Sequence, residues 1–169
     1  SILWFETAAG AIREPQDWRT DVLASVTVHD LPPTAGYLRD EHVRIRAELH
    51  LLATPEDVER ENAARERGAW AEVMRRHGWL AGDADLGTDD GLDQFTVALH
   101  RAVAASPARL VGVALTDVVG DRRAQNQPGT DQEYPNWRVP LGDETGQAIT
   151  LERVMQGNPL LESIVAAVR

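Results

Sequence analysis

Val26-Thr27-Val28-His29-Asp30-Leu31-Pro32-Pro33-Thr34 is an apolar, β-branched run that ends in adjacent His and Asp side chains and then a proline pair. Such residues favour extended backbone and proline cannot continue a ladder, so the stretch predicts a strand with His29 and Asp30 at its carboxyl end. In parallel sheets and barrels that end carries the chemistry, while the strand bodies fill a packed core. A blander reading competes with this one: Asp30 caps the following turn or helix, and His29 satisfies a neighbouring carbonyl.

Working outward, two other runs read as strands. Residues 2–6 include Ile2-Leu3-Trp4-Phe5, and residues 109–116 form a nearly continuous apolar segment of the kind buried on both faces of a parallel sheet. The central strand spans residues 22–29. Asp117 lies just past the third run, in the same strand-end location as Asp30. Residues 34–105 read as a helical insert. One helix starts at Thr34 and stops before Thr54-Pro55; a second runs from Pro55 to about Arg76 with Thr54 as its N-cap. A third runs from Leu92 to Ala105, capped by Asp89 or Asp90, with an apolar stripe of Phe95, Leu99, Ala102 and Val103. The acidic, glycine-rich segment 82–91 lacks the alternate ligands and terminal Glu of a calcium loop, so it reads as a surface connection. Residues 120–146 are irregular and rich in Gly, Pro, Asn and Asp, a composition typical of a functional or mobile loop. A terminal helix over residues 150–168 is interrupted at Asn158-Pro159. This order describes an α/β chain with about three parallel strands and crossover helices. Three strands cannot close a barrel of eight, so as barrel sequence this is a (β/α)8 carboxyl-terminal third. A strand run directly after Ser1 fits a piece of a larger protein.

The composition narrows the function. The chain has 169 residues, 43% hydrophobic and 26% charged, with a formal net charge of -10. That acidity disfavours nucleic acid as a partner, because backbone phosphates are bound by clustered basic residues. All 17 basic residues are Arg, which carries no mechanistic weight. The absence of Cys removes thiolate metal sites and nucleophiles and fits a reducing, cytoplasmic compartment. No apolar run approaches the ~20 residues that span a bilayer, so no membrane partner is expected. His29, His42, His50, His77 and His100 show no zinc-helix spacing, which disfavours a metal-dependent hydrolase. No metal site is therefore expected.

The segment Asn126-Gln127-Pro128-Gly129-Thr130-Asp131-Gln132-Glu133-Tyr134-Pro135-Asn136-Trp137-Arg138 resembles a long signature of the 4-α-glucanotransferases, the amylomaltases or disproportionating enzymes of the α-amylase clan. Thr27-Val28-His29-Asp30 is similar to the family's last conserved barrel-strand motif, and Leu3-Trp4-Phe5-Glu6 to the strand after its acid/base segment. The resemblance implies a retaining double displacement that moves α-1,4-glucan segments between maltooligosaccharides. It implies that Asp30 is the carboxylate that stabilises the transition state and that His29 hydrogen-bonds the same sugar. Asn126, Pro128, Gly129 and Trp137 are the implied substrate-binding residues. The family's nucleophile and acid/base have no counterpart in these motifs, so the chain alone is expected to be inactive. Trp4 and Phe5, near a strand end, are candidate aromatic platforms, and Glu6 and Asp117 are secondary candidate acids. Expected partners are a maltooligosaccharide or starch-derived glucan and the missing amino-terminal part of the barrel, with self-association of the piece through unpaired edges. The alternative is a non-catalytic carbohydrate-binding or interaction module.

Overall fold

The three apolar runs do lie side by side, but they contribute far less strand than their length. In the computed structural model, which describes residues 1–169, Thr7–Ala8 (β1) and Ala11–Ile12 (β2) form a small antiparallel hairpin. Leu23–Ser25 (β3) and Leu110–Gly112 (β4) pair in parallel with Leu23 opposite Leu110, Ala24 opposite Val111 and Ser25 opposite Gly112. Ile2 adds a parallel bridge to Ser25. The strand expected over residues 2–6 therefore shrinks to one bridge. Leu3–Phe5 instead coil into a 3-10 turn, closed by Phe5 N donating to Ile2 O and Glu6 N to Leu3 O, both at 3.0 Å.

The run at 109–116 is likewise split. After β4 the chain enters a short helix, Leu115–Val119 (α5), whose Val118 and Val119 are buried in a cluster with Val154 and Ile164. A short apolar run has no periodicity that separates a buried helix from a buried strand, and here packing decided for the helix. Asp117 is consequently a helical, buried residue and not a strand-end one.

The helical insert forms as α1 (Thr34–Leu38), α2 (Glu41–Glu48), α3 (Glu56–Arg76) and α4 (Asp89–Ala105). The single helix expected after Thr34 is broken because Asp40 sits at φ +60°, a left-handed conformation that ends α1. Pro55 occupies the cap position of α3, while Thr54 Oγ1 donates to Glu59 Oε1 at 2.6 Å, so Thr54 does not cap. Thr88, and not Asp89 or Asp90, caps α4: its Oγ1 accepts from Gly91 N at 3.1 Å. The acids stand in the first turn, where they favour the helix dipole. The expected α4 stripe is buried, as are Leu92 and His100. The terminal helix divides at the expected interruption into α6 (Leu151–Met155) and α7 (Pro159–Val168), with Asn158 Oδ1 accepting from Leu161 N at 2.8 Å.

The main core joins Leu3, Trp4, Val26, Trp70, Phe95 and Leu99, among others. Each such side chain contributes on the order of 2 kcal/mol by leaving water. Trp4 packs against Tyr37 with ring centroids 4.3 Å apart and planes tilted by 34°, and meets Trp70 edge-on at 6.1 Å. It is a core residue, so the platform expected of it is corrected. Leu23, Leu110 and Val111, by contrast, are exposed on the small sheet, as are Phe5 and Leu115. No helix is long and apolar enough to cross a membrane.

Candidate active site

Beyond β3 the chain stays buried through Val26 and Thr27 and then turns. Thr27 Oγ1 donates to Pro32 O at 2.9 Å, and Leu31 N donates to Val28 O at 3.0 Å. These two bonds pinch residues 28–31 into a protruding turn whose tip is His29-Asp30. Their side chains are 60% and 53% exposed.

Asp30 is not a helix cap. The cap position of α1 is Pro33, which makes no side-chain cap bond, and the first N–H of α1 is served from elsewhere: Thr34 N donates to Asp117 Oδ1 at 2.9 Å. Thr34 Oγ1 donates to Asp117 Oδ2 at 2.8 Å. His100 Nε2 lies 3.4 Å from the same oxygen without forming a hydrogen bond. Asp117 thus performs the capping duty that the sequence left open for Asp30.

What meets Asp30 arrives from far along the chain. Asn126 Nδ2 donates to Asp30 Oδ1 at 2.8 Å across a separation of 96 residues. His29 Nε2 lies 3.3 Å from Asp30 Oδ2. The Trp137 ring stands 5.1 Å from the His29 ring at an interplanar angle of 45°, and Trp137 is 64% exposed. His29, Asp30, Asn126 and Trp137 therefore form one solvent-facing constellation. A cavity of about 310 Å³ opens beside it, lined in part by Thr27, His29, Thr116 and Gln125. A second cavity, about 560 Å³ among Arg39, Asp93, Glu144 and Arg153, shares no residue with this site.

The loop that carries Asn126 and Trp137 is irregular but tied at its neck. Fully buried Asp121 accepts from Arg123 N and Nε at Oδ1, both at 3.0 Å, and from Arg123 Nη2 (3.0 Å) and Gly142 N (2.8 Å) at Oδ2. A Cβ at Gly142 would collide with the Arg123 guanidinium. Inside the loop, Tyr134 Oη donates to Ala124 O at 2.7 Å and Trp137 N to Gln125 O at 2.9 Å. Pro128 and Gly129 lie at the exposed far turn, where Gly129 takes φ +89°, and no bond joins them to Asp30. They shape the loop.

The other candidates lie elsewhere. Glu6, taken as a strand-end acid, is buried; it accepts from Ser1 Oγ at 2.6 Å and lies 3.6 Å from Arg13 and 3.9 Å from Arg19. Phe5 is exposed, and Trp4 is in the core. Sequence reasoning missed the Thr34–Asp117–His100 group and the side chain of Asn136. The first has a faint signal in the sequence, an acid after an apolar run, which fits chemistry as well as capping.

Chemically, the carboxylate of Asp30 has one protein neighbour at each oxygen and free lone pairs toward solvent. It can accept hydrogen bonds from vicinal hydroxyls, while the exposed indole of Trp137 offers an apolar face to a ring. No group of three or more His, Cys, Asp or Glu side chains is arranged to hold a metal ion.

A family model described as 4-alpha-glucanotransferase matches residues 1–144. A 4-alpha-glucanotransferase of Mycobacterium tuberculosis is 47% identical over 175 residues, covering 99% of this chain and 24% of the relative. One from Haemophilus influenzae is 25% identical over 143 residues, covering 80% of this chain and 20% of the relative. The crystal structure of amylomaltase from Corynebacterium glutamicum superposes with a TM-score of 0.92 at 35% identity, covering 100% of this chain and 25% of that one. The chain thus spans about a quarter of the length of the relatives it matches, their carboxyl-terminal part.

Proposed function

Since the chain belongs to the 4-alpha-glucanotransferase family, whose barrel it contributes to in part, we propose that it supplies the transition-state-stabilising side of an active site. That site transfers α-1,4-glucan segments between maltooligosaccharides. The observation that carries this reading is the contact between Asn126 Nδ2 and Asp30 Oδ1, with His29 and Trp137 around it.

Retaining transfer passes through an oxocarbenium-like transition state and a glycosyl-enzyme intermediate, and hydrogen bonds to ring hydroxyls strengthen as the ring distorts. Asp30 is the acceptor for those hydroxyls. Asn126 fixes the plane of its carboxylate, His29 donates to the same sugar, and Trp137 covers the ring beside His29. The tied loop helps to keep water from the intermediate, which an acceptor glucan must outcompete. The nucleophile and acid/base come from other strands of the complete enzyme. The exposed face of Leu23, Leu110 and Val111 then packs against that remainder, and without it the same face favours self-association. We place the enzyme in the cytoplasm, with no metal or organic cofactor required. The matched family and relatives all carry the glucanotransferase name, which leaves the binding-module alternative without support.

Maltotriose disproportionation tests the reading. The 169-residue chain alone is expected to release no glucose. The complete enzyme should form glucose and longer oligomers, and D30N should lose nearly all of that rate. Robust turnover by the chain alone, or an undiminished rate in D30N, would overturn the assignment.

A further inference from the structure

Asn126 and Trp137 are 11 positions apart in an irregular loop, yet they arrive on either side of the His29-Asp30 tip. Backbone bonds alone do not explain this. Trp137 N to Gln125 O at 2.9 Å pins one point, and Trp137 itself sits at φ +60°, a conformation that costs a non-glycine residue about 1 kcal/mol. Something must hold both flanks of that point.

The side chain of Asn136 does so. Its Oδ1 accepts from Gln127 N at 2.8 Å, next to Asn126. Its Nδ2 donates to Thr130 Oγ1 at 2.8 Å and to Thr130 O at 3.3 Å. Thr130 Oγ1 in turn donates to Gln127 O at 2.7 Å. The amide orientation is dictated by chemistry, because Gln127 N can only donate and Thr130 O can only accept. One side chain therefore stitches the residue after Asn126 to the residue before Trp137.

We infer that Asn136 is a positioning residue: its carboxamide sets the placement of Asn126 and Trp137 against His29-Asp30, and through them the affinity for glucan. The glucan part rests on the function proposed above. Asn136→Asp is the sharpest break, because it is nearly isosteric and replaces two donors with an anionic oxygen facing the carbonyl and hydroxyl oxygens of Thr130. A protonated carboxyl restores one donor, so the defect must heal as pH falls toward the ordinary carboxylate range near about 4. A merely space-filling role would show no such pH dependence.

The experiment follows the ring-proton shifts of His29 by NMR in the 169-residue chain, since the Trp137 ring lies close enough to displace them. The unsubstituted chain at each pH is the reference. N136D should lose the displacement at pH 7 and regain about half of it by pH 4, while N136A should lack it throughout. Maltoheptaose should bind N136D about tenfold more weakly at pH 7, a loss of about 1.4 kcal/mol. His29 shifts unchanged in both variants would overturn the inference, and so would collapse of the Trp70 and Phe95 core signals, which would make Asn136 a residue of the whole fold. Shifts that follow Asn136 while maltoheptaose binding does not would uphold the positioning role and sink the glucan reading instead.

Discussion

Asp30 and Asp117 invite comparison because they begin from equivalent places. Ser25 and Gly112 are partners across the parallel pair, and each aspartate lies five residues beyond its partner, 25 to 30 and 112 to 117. From there they diverge. The side chain of Asp117 is 1% exposed, with both oxygens held by the backbone N–H and hydroxyl of Thr34. Asp30 is half exposed, and its remaining lone pairs face solvent. An acid past a strand is structural when the fold consumes its lone pairs in a dry place, and is available for chemistry when it leaves some of them aimed at water.

The contrast breaks most visibly in catalysis. In the complete enzyme, D30N should lower kcat for maltotriose disproportionation by about 10² to 10³-fold, with KM changed much less, because the lost bonds strengthen only in the transition state. A matching fall in D30N urea stability would erase the distinction, since an exposed substitution should stay within about 0.5 kcal/mol.

The converse experiment is D117A in the chain. It strands two buried donors on Thr34 and should cost about 3 kcal/mol in urea unfolding. A loss under about 1 kcal/mol would mean that water or another acceptor replaces the carboxylate.

His42 sharpens the rule from the opposite charge. Burial lowers its pKa to about 4, against the pull of Asp40, and its Nδ1 has no partner. Below the unfolded value near about 6.5 the unfolded chain binds a proton that the folded chain refuses. Stability is therefore full above that value, falls by up to about 3 kcal/mol as pH drops toward 4, and levels off below. Urea titrations across this window should show that slope, and H42F, which keeps the stack on Tyr37, should flatten it.

The smallest effect separates backbone from ring at Trp137. Glycine tolerates φ +60°, so W137G should hold or raise stability by up to about 1 kcal/mol while weakening maltoheptaose binding about fivefold. Equal losses in both would make the ring a structural anchor.

Much of this was legible in the sequence. The three parallel runs, the buried α4 stripe and the break at Asn158-Pro159 follow from periodicity and capping chemistry. Strand lengths did not, because apolarity reports burial and not backbone conformation, as Leu3–Phe5 and Leu115–Val119 show. The roles of Asp30 and Asp117 could not be told apart locally, since each depends on partners remote in sequence, Asn126 for one and Thr34 for the other. The proximity of Asn126 and Trp137 to His29-Asp30 came from a family resemblance; no spacing rule supplies it. Trp4 was misplaced for a related reason: a tryptophan near a strand end serves a core or a sugar equally well until its neighbours are known.

The most direct measurement is an NMR titration of the isotope-labelled chain with maltoheptaose. The account predicts saturable shifts at the His29 ring, the Asn126 carboxamide and the Trp137 indole, with the Thr34 amide unmoved. Saturable shifts centred on Thr34 and His100, or none at His29, Asn126 and Trp137, would contradict it.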